Sequence, residues 1–310
     1  MEMVLRPMTE ADRAEVAELI YCSINTWYGQ HGCPPIFRGG PAVTEVFFDV
    51  YNDLTPGCNV VAESLANGRL MGSCFYHPRP RHVSLGIMTV HPNYAGCGVG
   101  RRLLQHIIDF TETTPHRTLR LTQSAINVDS FSLYNKAGFV PQYSYQDMII
   151  QMPSTGLPGV APARAGAVRD ATLADVATMA ALELEVSGIT RDLDYRYCIR
   201  NERGFWHTAV LEGPGRTLDG FMISSGHPAM NLLGPCLART EEAAAALIYR
   251  EFNRYPGRSP VCLIPMDKSQ LVRTMYGWGA RNCEMHFCQV RGEFQPFQGV
   301  NIPTFLPETG

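Results

Sequence analysis

The sequence has 310 residues, a net charge of -3, 45% hydrophobic and 18% charged residues, a composition that excludes a disordered or fibrous chain. It offers no overall basic field of the kind that binds phosphate backbones, which argues against a nucleic-acid partner. No run of about 18 apolar residues is present to span a bilayer, so no membrane partner is expected either. At about 150 residues per domain, the length predicts two domains.

A strand is expected near residues 2–6, then a helix near 9–22 and a proline- and glycine-rich loop with aromatics, TWYGQHGCPPIFRGGP. A short helix near 42–53 leads into the strands NVVAES and RLMGSCFY, joined across Asn67-Gly68, a strong hairpin signal. HVSLGIMTV reads as another strand, and a glycine-rich segment then opens a helix that runs to about 112. LRLTQS is a fifth strand, NVDSFSLYNKAGF a helix and YQDMIIQ a last strand, giving the order βααβββαβαβ.

The chain echoes itself. LRPMTEAD at 5–12 and VRDATLAD at 168–175 share Arg-x-x-Thr-x-Ala-Asp, and LYNKAGF at 133–139 is echoed by TMYGWGA at 274–280. Two copies of one fold are therefore expected: a first domain at 1–152, a linker at 153–166, a second domain at 167–292 and a tail at 293–310. The fold class is α/β (α+β), each copy a mixed, mostly antiparallel sheet flanked by helices. Ten cysteines without a CxxC pair or zinc-finger spacing predict reduced thiols and no metal site. The start MEMVLRPMTEADRAEV lacks an apolar h-region, and a cytoplasmic location is expected.

Chemistry concentrates in VHPNYAGCGVGRRLL, residues 90–104, where Gly96, Gly98 and Gly100 bare the backbone just before an apolar helix. A dinucleotide fold wants GxGxxG after a βαβ pattern, and a triphosphate loop wants a lysine; the segment supplies neither. A helix N-terminus carries unpaired N–H groups and partial positive charge, so bare amides at 96, 98, 100 and 101 suit a diphosphate, with Arg101 and Arg102 adding charge. The bland alternative is a tight strand-to-helix turn with solvated arginines.

Val90-His91-Pro92 followed by Ala95-Gly96-Cys97-Gly98-Val99-Gly100 resembles the coenzyme A loop of the GCN5-related N-acetyltransferases (GNAT). Ala95 departs from that family's Gln or Arg. The resemblance implies acetyl-CoA (coenzyme A) as cofactor, bound by Met88, Val90, Ala95, Gly96, Gly98, Val99, Gly100, Arg101 and Arg102. It also implies that Asn127 meets the pantetheine arm and that Tyr134 protonates the departing thiolate. Seven residues is nearly two helical turns, which puts Asn127 and Tyr134 on one face, and a phenol stays protonated at neutral pH. A helix cap at Asn127 and a core role for Tyr134 are the alternatives.

A general base is expected on the strand entering the loop. His82 is the candidate, with Tyr76 and His77 in reserve; a plain surface histidine is the other reading. The acceptor pocket is expected to use Trp27, Tyr28, His31, Phe37 and Arg38, which could equally cap a core. In the second half, Thr240 would cap a helix whose first turn holds Glu241 and Glu242, and carboxylates there repel a diphosphate. That half resembles the degenerate second domain of tandem family members. The implied activity is direct acetyl transfer to a primary amine of a small molecule or peptide, by a monomer or homodimer. The alternative is a non-catalytic acyl-CoA-binding sensor or scaffold.

Overall fold

The structure, a computed structural model, describes residues 2–304. The chain forms two compact units, residues 1–119 and 120–310. In the first, β1 (Met3–Arg6) is followed by α1 (Arg13–Gln30) and α2 (Glu45–Leu54), then β2 (Asn59–Ser64), β3 (Leu70–Pro78), β4 (Val83–Val90) and α3 (Val99–Glu112). These strands lie in the order β1-β2-β3-β4, each antiparallel to the next. The apolar stripe of α3, Leu103, Leu104, Ile107 and Ile108, is buried. Gly72 on β3 lets α3 come close: a Cβ there would meet Val99 Cγ1 at 2.8 Å and Leu103 Cδ1 at 3.1 Å.

α1 continues well beyond the expected end near residue 22. No glycine or proline interrupts the chain until Gly29, and the helix stops where Gly32 takes a positive φ of 72°. The amides of His31 and Cys33 close on the Tyr28 carbonyl at 3.0 and 2.9 Å. Trp27 and Tyr28 consequently stand on the last turns of a helix instead of in a loop.

The second unit opens on β5 (Thr118–Ser124), α4 (Val128–Lys136) and β6 (Val140–Ile149), continues through β7 (Val168–Asp170), α5 (Val176–Ser187), α6 (Asp192–Arg200), β8 (Trp206–Glu212), β9 (Leu218–Ser225) and β10 (Cys236–Ala238), and ends with α7 (Glu241–Phe252), β11 (Val261–Pro265), α8 (Ser269–Gly277), β12 (Arg281–Gly292) and β13 (Val300–Ile302). From β7 to β12 the order βααβββαβαβ repeats that of β1 to β6. One sheet of the unit runs β13-β10-β9-β8-β7.

Its other strands are interleaved: β12 lies between β5 and β6, while β6 lies between β12 and β11. Tyr145 of β6 faces His286 on one side and Pro265 on the other, so both edges of β6 are hydrogen-bonded to strands from the second half of the sequence. The proline-rich stretch between the copies is pinned as well: Leu157 is buried and its amide donates to Asn253 Oδ1 at 2.8 Å. The C-terminal stretch contributes β13, which pairs Leu237 with Asn301 along the β10 edge.

The sequence echo is a repeated piece of chemistry. Arg6 grips both carboxylate oxygens of Asp12 at 2.8 Å, and Arg169 grips Asp175 at 3.0 and 2.7 Å. In each copy the threonine three residues earlier donates its amide to the same carboxylate at 2.7 Å, a capping box at the helix entry. The arginine hydrogen bond, reinforced by the threonine, holds each aspartate down at about 2 against a reference near 3.8. Both carboxylates are depressed on folding, so their contribution is present above about pH 4 and is lost as pH falls from about 4 to 2. Acid titration of the melting temperature should show a decline over that window, and it should be shallower in Asp12→Asn/Asp175→Asn protein.

Interleaving makes a second prediction. Residues 1–152 or 167–310 produced alone should aggregate or fail to give cooperative melts, because each is left with unpaired strand edges. Co-produced fragments should yield a soluble complex by size-exclusion chromatography.

Candidate active site

The β4–α3 turn is built by glycine conformations. Gly96 and Gly98 have φ of 75° and 80°, in the left-handed region. Gly98 is the N-cap of α3 and offers no side chain to the helix. Arg102 is the first residue to bond back, to the Gly98 carbonyl at 3.1 Å. The amides of Val99, Gly100 and Arg101 thus precede the first helical hydrogen bond, in a first turn without acidic residues. Nothing lies within 4 Å of where a Cβ of Gly96 would be.

The two arginines diverge. A terminal nitrogen of Arg101 hangs 4.0 Å from the Cβ position of Gly98, over the turn, whereas Arg102 Nη1 donates to the Met3 carbonyl of β1 at 3.2 Å. Ala95 is exposed and its amide closes on the Pro92 carbonyl at 3.2 Å. The donor set fits a diphosphate: open backbone, positive dipole end and a nearby guanidinium.

Upstream, β4 carries a bulge that the sequence reading missed. Cys74 pairs with Met88 and Tyr76 with Leu85, so Gly86 and Ile87 together oppose Phe75. The Ile87 amide donates to the Tyr51 hydroxyl at 3.3 Å. The available signal was Gly86 itself, a lone glycine in a strand pattern; a Cβ there would press on the Phe75 carbonyl at 2.9 Å. Met88 and Val90, beyond the bulge, are half-buried.

His82 is fully buried, just ahead of β4, and its carbonyl accepts the Arg79 amide at 2.8 Å. Ser84 pairs with His77 across the strands, which places residues 82 and 84 on the His77 face. His77 stacks on Tyr51 at 4.8 Å, and Thr55 Oγ1 lies 2.8 Å from His77 Nδ1 and accepts from Arg79 at 3.0 Å. His77, on the face it shares with His82 and Ser84, thus meets Tyr51 and Thr55 at the end of α2. Tyr76, on the opposite face against His106 and Phe110, is pushed up to about 12 by burial and holds its proton at neutral pH, which makes it a poor base.

The α1–α2 residues separate into two groups. Phe37 is buried, edge-on to Phe47 at 5.5 Å, and both its backbone groups are held by the Asn25 amide at 2.9 and 3.0 Å, the geometry of a core plug. Trp27 stacks on His31 at 4.1 Å and meets Tyr28 edge-on at 5.0 Å, and Arg38 is exposed.

In the second unit, Asn127 is the N-cap of α4 and its Oδ1 accepts the Ser130 amide at 3.0 Å. Tyr134 is buried beside Phe139, the rings 5.7 Å apart. The second copy lacks every one of these features. Gly138 and Gly279, with φ of 87° and 89°, end the corresponding helices, which sets Met275 at the place of Tyr134 and Lys268 at that of Asn127. Tyr276 falls one position on, exposed, with its hydroxyl on Gln146. Residues 91–98 separate β4 from α3, but only 239 and 240 separate β10 from α7. Thr240 caps α7 through the Ala243 amide at 3.2 Å, and Glu241 accepts the Leu271 amide at 2.7 Å. The edge of β10 is taken by β13, where Gly299 passes so close that a Cβ would lie 2.4 Å from the Ala238 carbonyl.

Residues 28–139 match the family model of the Acetyltransferase (GNAT) family. The chain carries a GNAT domain. Over 96% of its length it superposes on a putative acetyltransferase from Pyrococcus horikoshii, covering 91% of that chain, with a TM-score of 0.73 and 15% identity. A tandem GNAT protein from the clavulanic acid biosynthesis pathway is covered to 98% by 94% of this chain, with a TM-score of 0.63 and 16% identity. These likenesses show a tandem GNAT fold. The spore coat polysaccharide biosynthesis protein SpsD of Bacillus subtilis (strain 168) is 32% identical over 87 residues, 28% of this chain and 29% of that protein, so the match spans less than a third of the relative's length. Among the described residues no helix is long and apolar enough to cross a membrane.

The bulge yields a local prediction. Tyr51→Phe removes the acceptor of the Ile87 amide, and hydrogen exchange at that amide should accelerate by about 10-fold while its neighbours on β3 keep their protection.

Proposed function

We propose that this chain is an N-acetyltransferase that moves an acetyl group from acetyl-CoA to the amine of a small molecule or peptide, in one ternary complex. The observation that carries the reading is the α3 start, a left-handed Gly98 cap before three amides without helical partners. Those amides and Arg101 would hold the diphosphate, with Gly96 leaving the approach open, and Asn127 would meet the pantetheine arm. When bound, acetyl-CoA supplies the activated thioester.

The remaining roles belong to side chains. His82, on the face shared with His77 and Ser84, takes the proton of the incoming ammonium at a ring nitrogen. The half-buried main chain from Met88 to Val90 orients the acyl oxygen. Tyr134 donates the proton of its Oη to the leaving thiolate. Trp27, Tyr28, His31 and Arg38 contribute to acceptor recognition, with Phe37 supporting them from the core. We assign residues 1–152 as the catalytic copy, 153–166 as the linker, 167–292 as the degenerate copy without cofactor and 293–310 as a C-terminal tail.

Thiol release from acetyl-CoA across an amine library tests the reading, and binding without turnover would instead favour a sensor. Tyr134→Phe should lower kcat by about 100-fold while the coenzyme A dissociation constant stays within about threefold. Equal loss of binding and turnover would remove Tyr134 from the chemistry.

A further inference from the structure

β5 has two faces, and the one bearing Arg120, Thr122 and Ser124 is polar, with Arg120 buried and Thr122 and Ser124 half-buried. Arg120 is 2% exposed. Its Nη2 donates to the Ser187 carbonyl at 3.3 Å and its Cζ sits 5.5 Å above the Phe294 ring. Among the described residues, neither its Nε nor its Nη1 has a hydrogen-bond partner, and the same holds for Thr122 Oγ1 on the same face. Arg191, also fully buried in this unit, is the contrast. Glu183 takes its Nε at 2.7 Å and also its Nη2, with the other carboxylate oxygen accepting the Tyr195 hydroxyl.

Among the described residues no carboxylate hydrogen-bonds to Arg120, although Glu183 attracts it through space. Glu183 is committed to Arg191 and Tyr195, Asp147 is paired with His286 at 2.9 Å, and Glu284 accepts from Ser124. Burial holds the neighbouring Cys288 thiol up at about 11 and the Tyr145 phenol well above its usual value, so both are neutral. A guanidinium does not escape by losing its proton. A buried guanidinium with two nitrogens unpartnered is the signature of a missing ligand.

We propose that Arg120 and Thr122 form a subsite for the carboxylate of the acyl acceptor, so that the acceptor is an amino acid or another amine bearing a carboxylate. A planar monoanion matches one fork of donors and one hydroxyl; a phosphate dianion would require a second free cation, and Arg191 is occupied. β5 leads into Asn127 and α4, so the subsite shares its strand with the helix that presents Tyr134. The assignment rests on the transferase reading above.

The test compares matched acceptors: L-amino acids, β-alanine and 6-aminohexanoate against their carboxamides, with acetyl-CoA, in the full chain and in Arg120→Met. At least one acid should exceed its amide in kcat/KM by about 10- to 100-fold, and Arg120→Met should erase that ratio. Thermal shift with the same acids, without acetyl-CoA, should stabilise the unaltered protein and not the variant. Acetylation with no preference for acids, or a preference surviving in Arg120→Met, overturns the subsite and leaves the transferase. Arg120-dependent binding of acids with no amine acetylated keeps a carboxylate subsite and overturns the transferase. Should Arg120→Met fail to fold, the acid-to-amide ratio of the unaltered protein decides alone, and Arg120→Lys, which keeps the charge without the fork, should reduce it.

Discussion

Both edges of β6 are paired with strands from the second half of the sequence, and most of the second unit follows from that ladder. Pairing fixes Asp147 opposite Glu284 and Tyr145 opposite His286, which sets the polar face where Arg120 lies. It also ties the helix carrying Tyr134 to β12, since Gln289 donates to Asn135 at 2.8 Å and Arg291 to the Ala137 carbonyl at 3.1 Å. A side chain that must hold a proton at a defined point needs such a frame around it.

Local signals were legible in the sequence and long-range ones were not. Thr9 and Thr172 announced their helix entries, Asn67-Gly68 its hairpin, and the element order of the first copy emerged from local pattern. The offset of Tyr276 from Tyr134 followed from counting to Gly279 and Gly138, and the exposed side chain at 276 agrees with it. The end of α1 was misplaced because polar and aromatic residues from 23 to 28 weaken a periodic pattern without breaking a helix.

The exchange of β6 and β12 left no trace, because strand pairing partners more than a hundred residues apart are chosen by tertiary packing and not by local pattern. For the candidate site, the glycine turn could be read from residue types, whereas the burial of His82 could not. Alternation fails on β4, where both faces are covered and the bulge at Gly86 shifts the phase. Arg120 gave no warning either: an arginine in LRLTQS looks like an ordinary surface residue until its surroundings are known.

The two copies share a scaffold and differ at the helix start that follows the fourth strand. Each keeps the arginine-aspartate clamp at its first helix. In the second, Thr240 caps the helix start through the Ala243 amide and β13 takes the edge of β10, whereas the turn before α3 of the first is left open.

Strand exchange of this kind is what two-fold partners do when they trade elements. Joining the partners in one chain makes the encounter intramolecular, with an effective concentration set by the connecting segment. Assembly then has no dilution threshold, and a gene encoding both partners can alter one side of the shared ladder without imposing the same residue on the other.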